Sequence, residues 1–243
     1  MDVIEAPPPN ISGLMPAVSN GFLGTVTNSC DLFVAGLYSA QRHLVVWEGS
    51  HRTRLSSHHV AVAGANITRV ALDMRQATVT LQSTLDAGGG PPVRIEQLVY
   101  AHRSRRSLLV QEISATRDCA SPSSCPALNL TLAPACAPSA DTTPPLPQAG
   151  ACADASCGAS AAVAKPEVGA AANVSVHAWG ADAARLQLPA GAPTAGTRLL
   201  LAVRTSVEGG TEDLAAAAAA DWAAGMALPR AALLGEHVGA WAT

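Results

Sequence analysis

Aromatic side chains are scarce: Phe, Trp and Tyr together make up 3% of the 243 residues, although 49% of the chain is apolar. An apolar share carried so largely by alanine favours a sandwich of small aliphatic side chains over an aromatic-lined pocket. Charge is scarce too, at 14% of residues and a net charge of -3. A chain with no basic surplus cannot neutralise phosphates, which excludes nucleic acid as its main partner. No run approaches the roughly 20 strongly apolar residues that a membrane span requires. The most apolar stretch, Asp213 to Pro229, is mostly alanine and is interrupted by Asp221 and Gly225. The opening MDVIEAPPP has neither the basic nor the apolar region of a secretory signal. What remains is a chain long enough to bury a core without metal or disulfide staples, as one large domain or two small ones.

Two features nevertheless point to a lumenal or extracellular compartment. Of six asparagines, four open an N-x-[ST] triplet, namely Asn10, Asn66, Asn129 and Asn173. With Ser and Thr at roughly one residue in seven, chance gives about one such triplet, so these four are candidate glycosylation sites. Six cysteines, an even number, agree. The expected location is therefore secreted or a vacuolar or lysosomal lumen, and the signal-less start reads as incomplete.

Most of the first 135 residues fall into short runs of period two. Cys30 to Leu37, His43 to Glu48, His58 to Ala63, Ile67 to Met74, Ala77 to Leu85, Val93 to Ala101, Ser107 to Ala115 and Ala127 to Ala133 all fit strands. Ala77 to Ala101 is the clearest hairpin, with Val79, Leu81 and Leu85 on one face and the loop DAGGGPP supplying glycines to turn and prolines to end the ladder. Strands at about 10-residue spacing without intervening helices predict antiparallel β architecture, a sandwich or a barrel.

From Pro134 to Ala172 the pattern dissolves into Ala, Pro, Ser, Gly and Cys, with too little bulky apolar surface to offset ordering entropy. This stretch is expected to be a poorly ordered insertion tethered by disulfides. Strand signals return at Asn173 to Trp179, Ala184 to Leu188 and Thr197 to Val207, so the insertion sits inside a β domain of residues 1–210. Residues 211–243 turn helical, with Thr211 as the expected N-cap and a second short helix from Pro229 to Trp241.

Candidate chemistry is sparse. Cys119, Cys125, Cys136, Cys152 and Cys157 lack the paired close spacing of a zinc site and read as disulfide partners, while Cys30 reads as a small buried hydrophobe. His58 and His59, adjacent on a predicted strand, face opposite ways and cannot chelate one ion. No metal site and no cofactor is expected. HRSRR at His102 to Arg106 reads as a solvated turn. No G-x-S-x-G elbow occurs, and Glu96, Glu112, Glu208, Glu212 and Asp213 show no spacing that marks a pair of carboxylates for glycoside chemistry.

LMPAVSNGFLGT at Leu14 to Thr25, then DLFVAGLYSA, then HRTRL at His51 to Leu55, then LVYAHRSRRSLLVQEISATR at Leu98 to Arg117 together resemble, in order and interval, the amino-terminal domain of glycoside hydrolase family 65. The resemblance is to the acid trehalase and protein-glucosylgalactosylhydroxylysine glucosidase type, good over residues 12–117 and faint again in EHVGAWAT. It implies a galactose mutarotase-like β-super-sandwich with short carboxy-terminal linker helices, ahead of an (α/α)6 catalytic barrel that this chain lacks. It further implies inverting hydrolysis of an α-glucoside such as trehalose. The family's acid and base belong to the barrel, so no residue here is matched to either. His51, Arg52, Tyr100 and His102 are candidates for support at the mouth of the site. The expected partners are that barrel and, through it, an α-glucoside. A stand-alone carbohydrate-binding module, or a purely structural sandwich, is the alternative.

Overall fold

A computed structural model describes residues 3–6, 15–41, 49–86, 88, 91–121, 124–134, 141–146, 156–163, 172–179, 185–208 and 213–242. The strands in chain order are β1 (Val3–Ala6), β2 (Ala17–Ser19), β3 (Leu23–Val26), β4 (Asp31–Val34), β5 (Tyr38–Gln41), β6 (Gly49–Arg52), β7 (Leu55–Ser56), β8 (Val60–Val62) and β9 (Asn66–Asp73). They continue as β10 (Thr78–Leu85), β11 (Val93–Ala101), β12 (Leu108–Arg117), β13 (Leu128–Pro134), β14 (Thr142–Thr143), β15 (Ser156–Val163), β16 (Asn173–Trp179), β17 (Arg185–Leu188) and β18 (Thr194–Thr205). Two helices follow, α1 (Leu214–Met226) and α2 (Arg230–Trp241).

The frame is one large antiparallel sheet in the order β1-β9-β10-β11-β12-β18-β16-β15-β14. Smaller sheets β2-β3-β4-β7 and β17-β13-β8 pack over one of its faces, and the two helices pack over the other. The fold is thus mainly β and antiparallel with short carboxy-terminal helices, as expected. The hairpin forms with Val79 opposite Val99 and Leu85 opposite Val93, and Gly88 in its loop takes a left-handed φ of +73° that a side chain would resist.

Strands β12 and β18 are covered on both faces, so LLV and LLLAV read as unbroken apolar runs rather than alternating ones. Between the large sheet and the first small sheet lie Leu23, Leu32, Leu37, Leu55, Val79, Val99, Leu201 and Val203. Beneath β17-β13-β8 lie Val62, Ile95, Ile113, Leu130, Leu188 and Leu199. A polar band divides the two cores. There Gln111 accepts a hydrogen bond from the Val60 N–H, and its amide donates to the Val60 carbonyl and to the Gln97 side chain.

Four expectations need correcting. Ser156–Val163, placed in the disordered insertion, is strand β15, hydrogen-bonded to β16 and burying Ala161 and Val163. Its ladder needs backbone pairing and a few small inward side chains, not bulk. Cys30 is disulfide-bonded rather than a free hydrophobe. The N-cap of α1 is Asp213, whose carboxylate accepts from the N–H groups of Ala215 and Ala216, while Thr211 lies outside the described residues. His58 and His59 precede β8 instead of lying on it. His58 takes a left-handed φ of 54°, which breaks the alternation and leaves both rings lining one small void.

Candidate functional site

The motifs singled out in the sequence converge where the HRSRR turn meets α2. Asn20 is buried and uses its whole amide. Its Oδ1 accepts from the N–H groups of Phe22 and Leu23 at 2.8 Å each, and its Nδ2 donates to the carbonyls of His102 and Arg106 at 2.9 and 2.8 Å. The next residue, Gly21, has φ +90°, so the Asn-Gly pair both reverses the chain and holds the turn between β11 and β12.

That turn in turn holds α2. His102 is fully buried; its Nδ1 accepts from the Arg105 N–H and its Nε2 lies 3.1 Å from the Leu233 carbonyl, which assigns the proton to Nε2. His237 mirrors it, accepting at Nδ1 from the Arg103 N–H and donating from Nε2 to the Gln76 carbonyl at 2.8 Å. Burial holds both rings below the usual histidine range, His237 at about 4, with the carbonyls of Leu233 and Gln76 acting the other way. Around them the Arg103 side chain donates to the Asn20 carbonyl and lies 4.8 Å over the Trp241 ring, and Arg105 pairs with Glu236.

A second tie lies one pleat away. Glu112 is fully buried and accepts from the Tyr100 hydroxyl at 3.3 Å and from Arg230, the first residue of α2. Burial and the Glu112 carboxylate push the Tyr100 phenol up, so it stays protonated and donates. Arg198 donates to the carbonyls of Met226 and Leu228, satisfying the end of α1, and Trp222 donates to the Leu200 carbonyl.

The candidate residues therefore separate. Tyr100 and His102 are 0% exposed and serve the seam between sheet and helix. Arg52 is exposed and lines an open concavity of about 530 Å³ on the small sheet, with Phe22, Phe33 and Tyr38. His51 pairs through its backbone with Ser39, and its side chain lies outside the described residues. Cys119 and Cys125 form a disulfide and Cys157 is disulfide-bonded, whereas Cys136 and Cys152 lie outside the described residues, as does Asn10. Sequence reasoning missed Asn20 and His237, and it weighed Glu112 only as one of several carboxylates without a marked pairing. The Asn-Gly turn signal could have found the first, whereas nothing local marks the other two.

The described carboxylates on these elements are engaged structurally. Asp221 accepts from Ser107 and Arg204, Glu208 pairs with Arg106, Asp213 caps α1, and Glu96 accepts from Gln82. Among the described residues no three His, Cys, Asp or Glu side chains gather as a metal would need. Among them, too, no helix is long and apolar enough to cross a membrane.

No known family model matches the sequence, and no curated protein does. A solved structure described as a kojibiose phosphorylase from the human microbiome does match in shape, at a TM-score of 0.63 over 93% of this chain and 9% identity. The two share a β-sandwich fold. The match takes in 35% of that protein, so this chain spans about a third of its length. At this identity the shared property is the fold, in agreement with the sandwich that the sequence motifs suggested.

Proposed function

We propose that this chain is the scaffold domain of an enzyme that breaks an α-glucosidic bond, of the glycoside hydrolase family 65 type, and that it has no turnover alone. The sandwich would carry, through α1 and α2, a barrel that holds the acid and base. One observation carries this reading: nearly the whole chain superposes on about a third of a protein described as a phosphorylase of a disaccharide. The engagement of Asp221, Glu208, Asp213, Glu96 and Glu112 in ion pairs, caps and sheet contacts supports it, because glycoside cleavage needs two carboxyl groups free to face the sugar. The parent substrate is trehalose or a glucosyl-galactosyl-hydroxylysine glycan. Arg52, and His51 beside it in β6, are the side chains proposed to border the mouth of the joined site.

The test compares the chain with a longer polypeptide that continues through a barrel, each given trehalose and a glucosyl-galactosyl peptide with and without inorganic phosphate. Glucose or glucose phosphate released by the long form alone supports the reading, and release by the short form overturns it. A second reading, a sugar-binding module, is favoured by the concavity itself, where Tyr38 is 43% exposed beside Phe22, Phe33 and Arg52. Calorimetric titration with glucosides separates the two, since only a module of this kind binds them without the barrel.

A further inference from the structure

The five described asparagines fall into two groups once the fold is known. Asn20 spends its amide on four hydrogen bonds, and Asn28 takes a left-handed turn position at φ 57°. Both have evident folding reasons. Asn66, Asn129 and Asn173 have none of this kind. Each lies in a strand, where asparagine is disfavoured, and each is exposed. Among the described residues none of their side-chain amides makes a hydrogen bond that would explain the choice. These three, and not the first two, open N-x-[ST] triplets.

We propose that Asn66, Asn129 and Asn173 are sites of N-linked glycosylation. Strand alternation presents them correctly: the middle residues Ile67, Leu130 and Val174 pack into the two cores, so the asparagines beside them face solvent. The cysteines supply an independent observation. Cys30, Cys119, Cys125 and Cys157 are all disulfide-bonded, which fits the oxidising compartment where such transfer takes place. The co-reactant is an oligosaccharide on a polyprenyl diphosphate. The asparagine amide nitrogen bonds to the anomeric carbon and loses one proton, while the bond from that carbon to the diphosphate oxygen breaks and the lipid diphosphate leaves with the electron pair. None of the three asparagines lines the concavity beside Phe22.

The experiment is peptide mapping of the chain isolated from its own cells, after treatment with peptide N-glycosidase in ¹⁸O-water. Conversion of two or all three of these asparagines to ¹⁸O-labelled aspartate is the expected result. Conversion at one or none overturns the proposal. On secretion from a glycosylating host, the Asn66→Gln, Asn129→Gln and Asn173→Gln variants should each remove one step from the mobility ladder. The outcome is independent of the glycosidase reading, which is tested by turnover.

Discussion

Lowering the pH should destabilise this protein through two adjacent rings. His58 and His59 are buried against Leu109, Trp179, Leu199 and Leu201, around a void of about 10 Å³, and no ring nitrogen of either has a hydrogen-bond partner. Burial holds each ring at about 4, against 6.5 for an exposed histidine. His59 depresses His58 further, while the Ser29 carbonyl, lying nearby, offsets part of the effect at His59. Because the folded value lies below the unfolded one, the unfolded chain binds more protons between these limits. Stability is therefore full above about pH 6.5, falls as the pH drops, and levels off below about pH 4. Between pH 7 and pH 5 each ring costs about 2 kcal/mol, about 4 for the pair, a large part of the 5 to 15 typical of a domain. Urea unfolding followed by tryptophan fluorescence at half-unit pH steps measures it. His58→Asn keeps a residue that tolerates the left-handed backbone, and together with His59→Leu it should flatten the profile by that amount. A wild-type profile that is level from pH 7 to pH 5 refutes the reasoning.

The seam between sheet and helices yields further predictions. Asn20→Ala removes four hydrogen bonds and leaves the buried His102 carbonyl and the part-buried Arg106 carbonyl short of donors, and should cost about 2 to 4 kcal/mol in chemical unfolding. Arg230→Ala leaves the buried Glu112 carboxylate with the Tyr100 hydroxyl. The cost should be about 2 kcal/mol, below that of a fully enclosed pair because the Arg230 side chain is 48% exposed, and adding Glu112→Gln should recover part of it in a double-mutant cycle. At Gly225 a Cβ would come within 2.8 Å of Leu200 and 2.9 Å of Leu108, so Gly225→Val should lower stability by about 1 to 3 kcal/mol, read as a fall in melting temperature.

Legibility in the sequence followed the range of each interaction. Strands β9 to β12 were readable because alternation and turn residues are local signals, and β15 was not because its partner strand, not its own side chains, orders it. The helices were readable from the change of period, yet the cap of α1 moved to Asp213 because its carboxylate reaches two free N–H groups. The run HRSRR was expected to be a solvated turn. In the structure His102 is buried against a helix 131 residues later, a contact that no spacing rule contains. The same holds for Glu112, whose partner Arg230 lies 118 residues away. Likewise the opposed faces assigned to His58 and His59 rested on strand geometry, which a single left-handed residue abolishes.

The central claim is that sandwich and helices form a scaffold without bond-breaking chemistry of their own. Its most direct test is glucose and glucose phosphate release by the purified chain, with trehalose or a glucosyl-galactosyl-hydroxylysine peptide and inorganic phosphate present. The account predicts release no faster than in buffer. Saturable turnover, abolished by replacing a carboxylate of this chain, would contradict it.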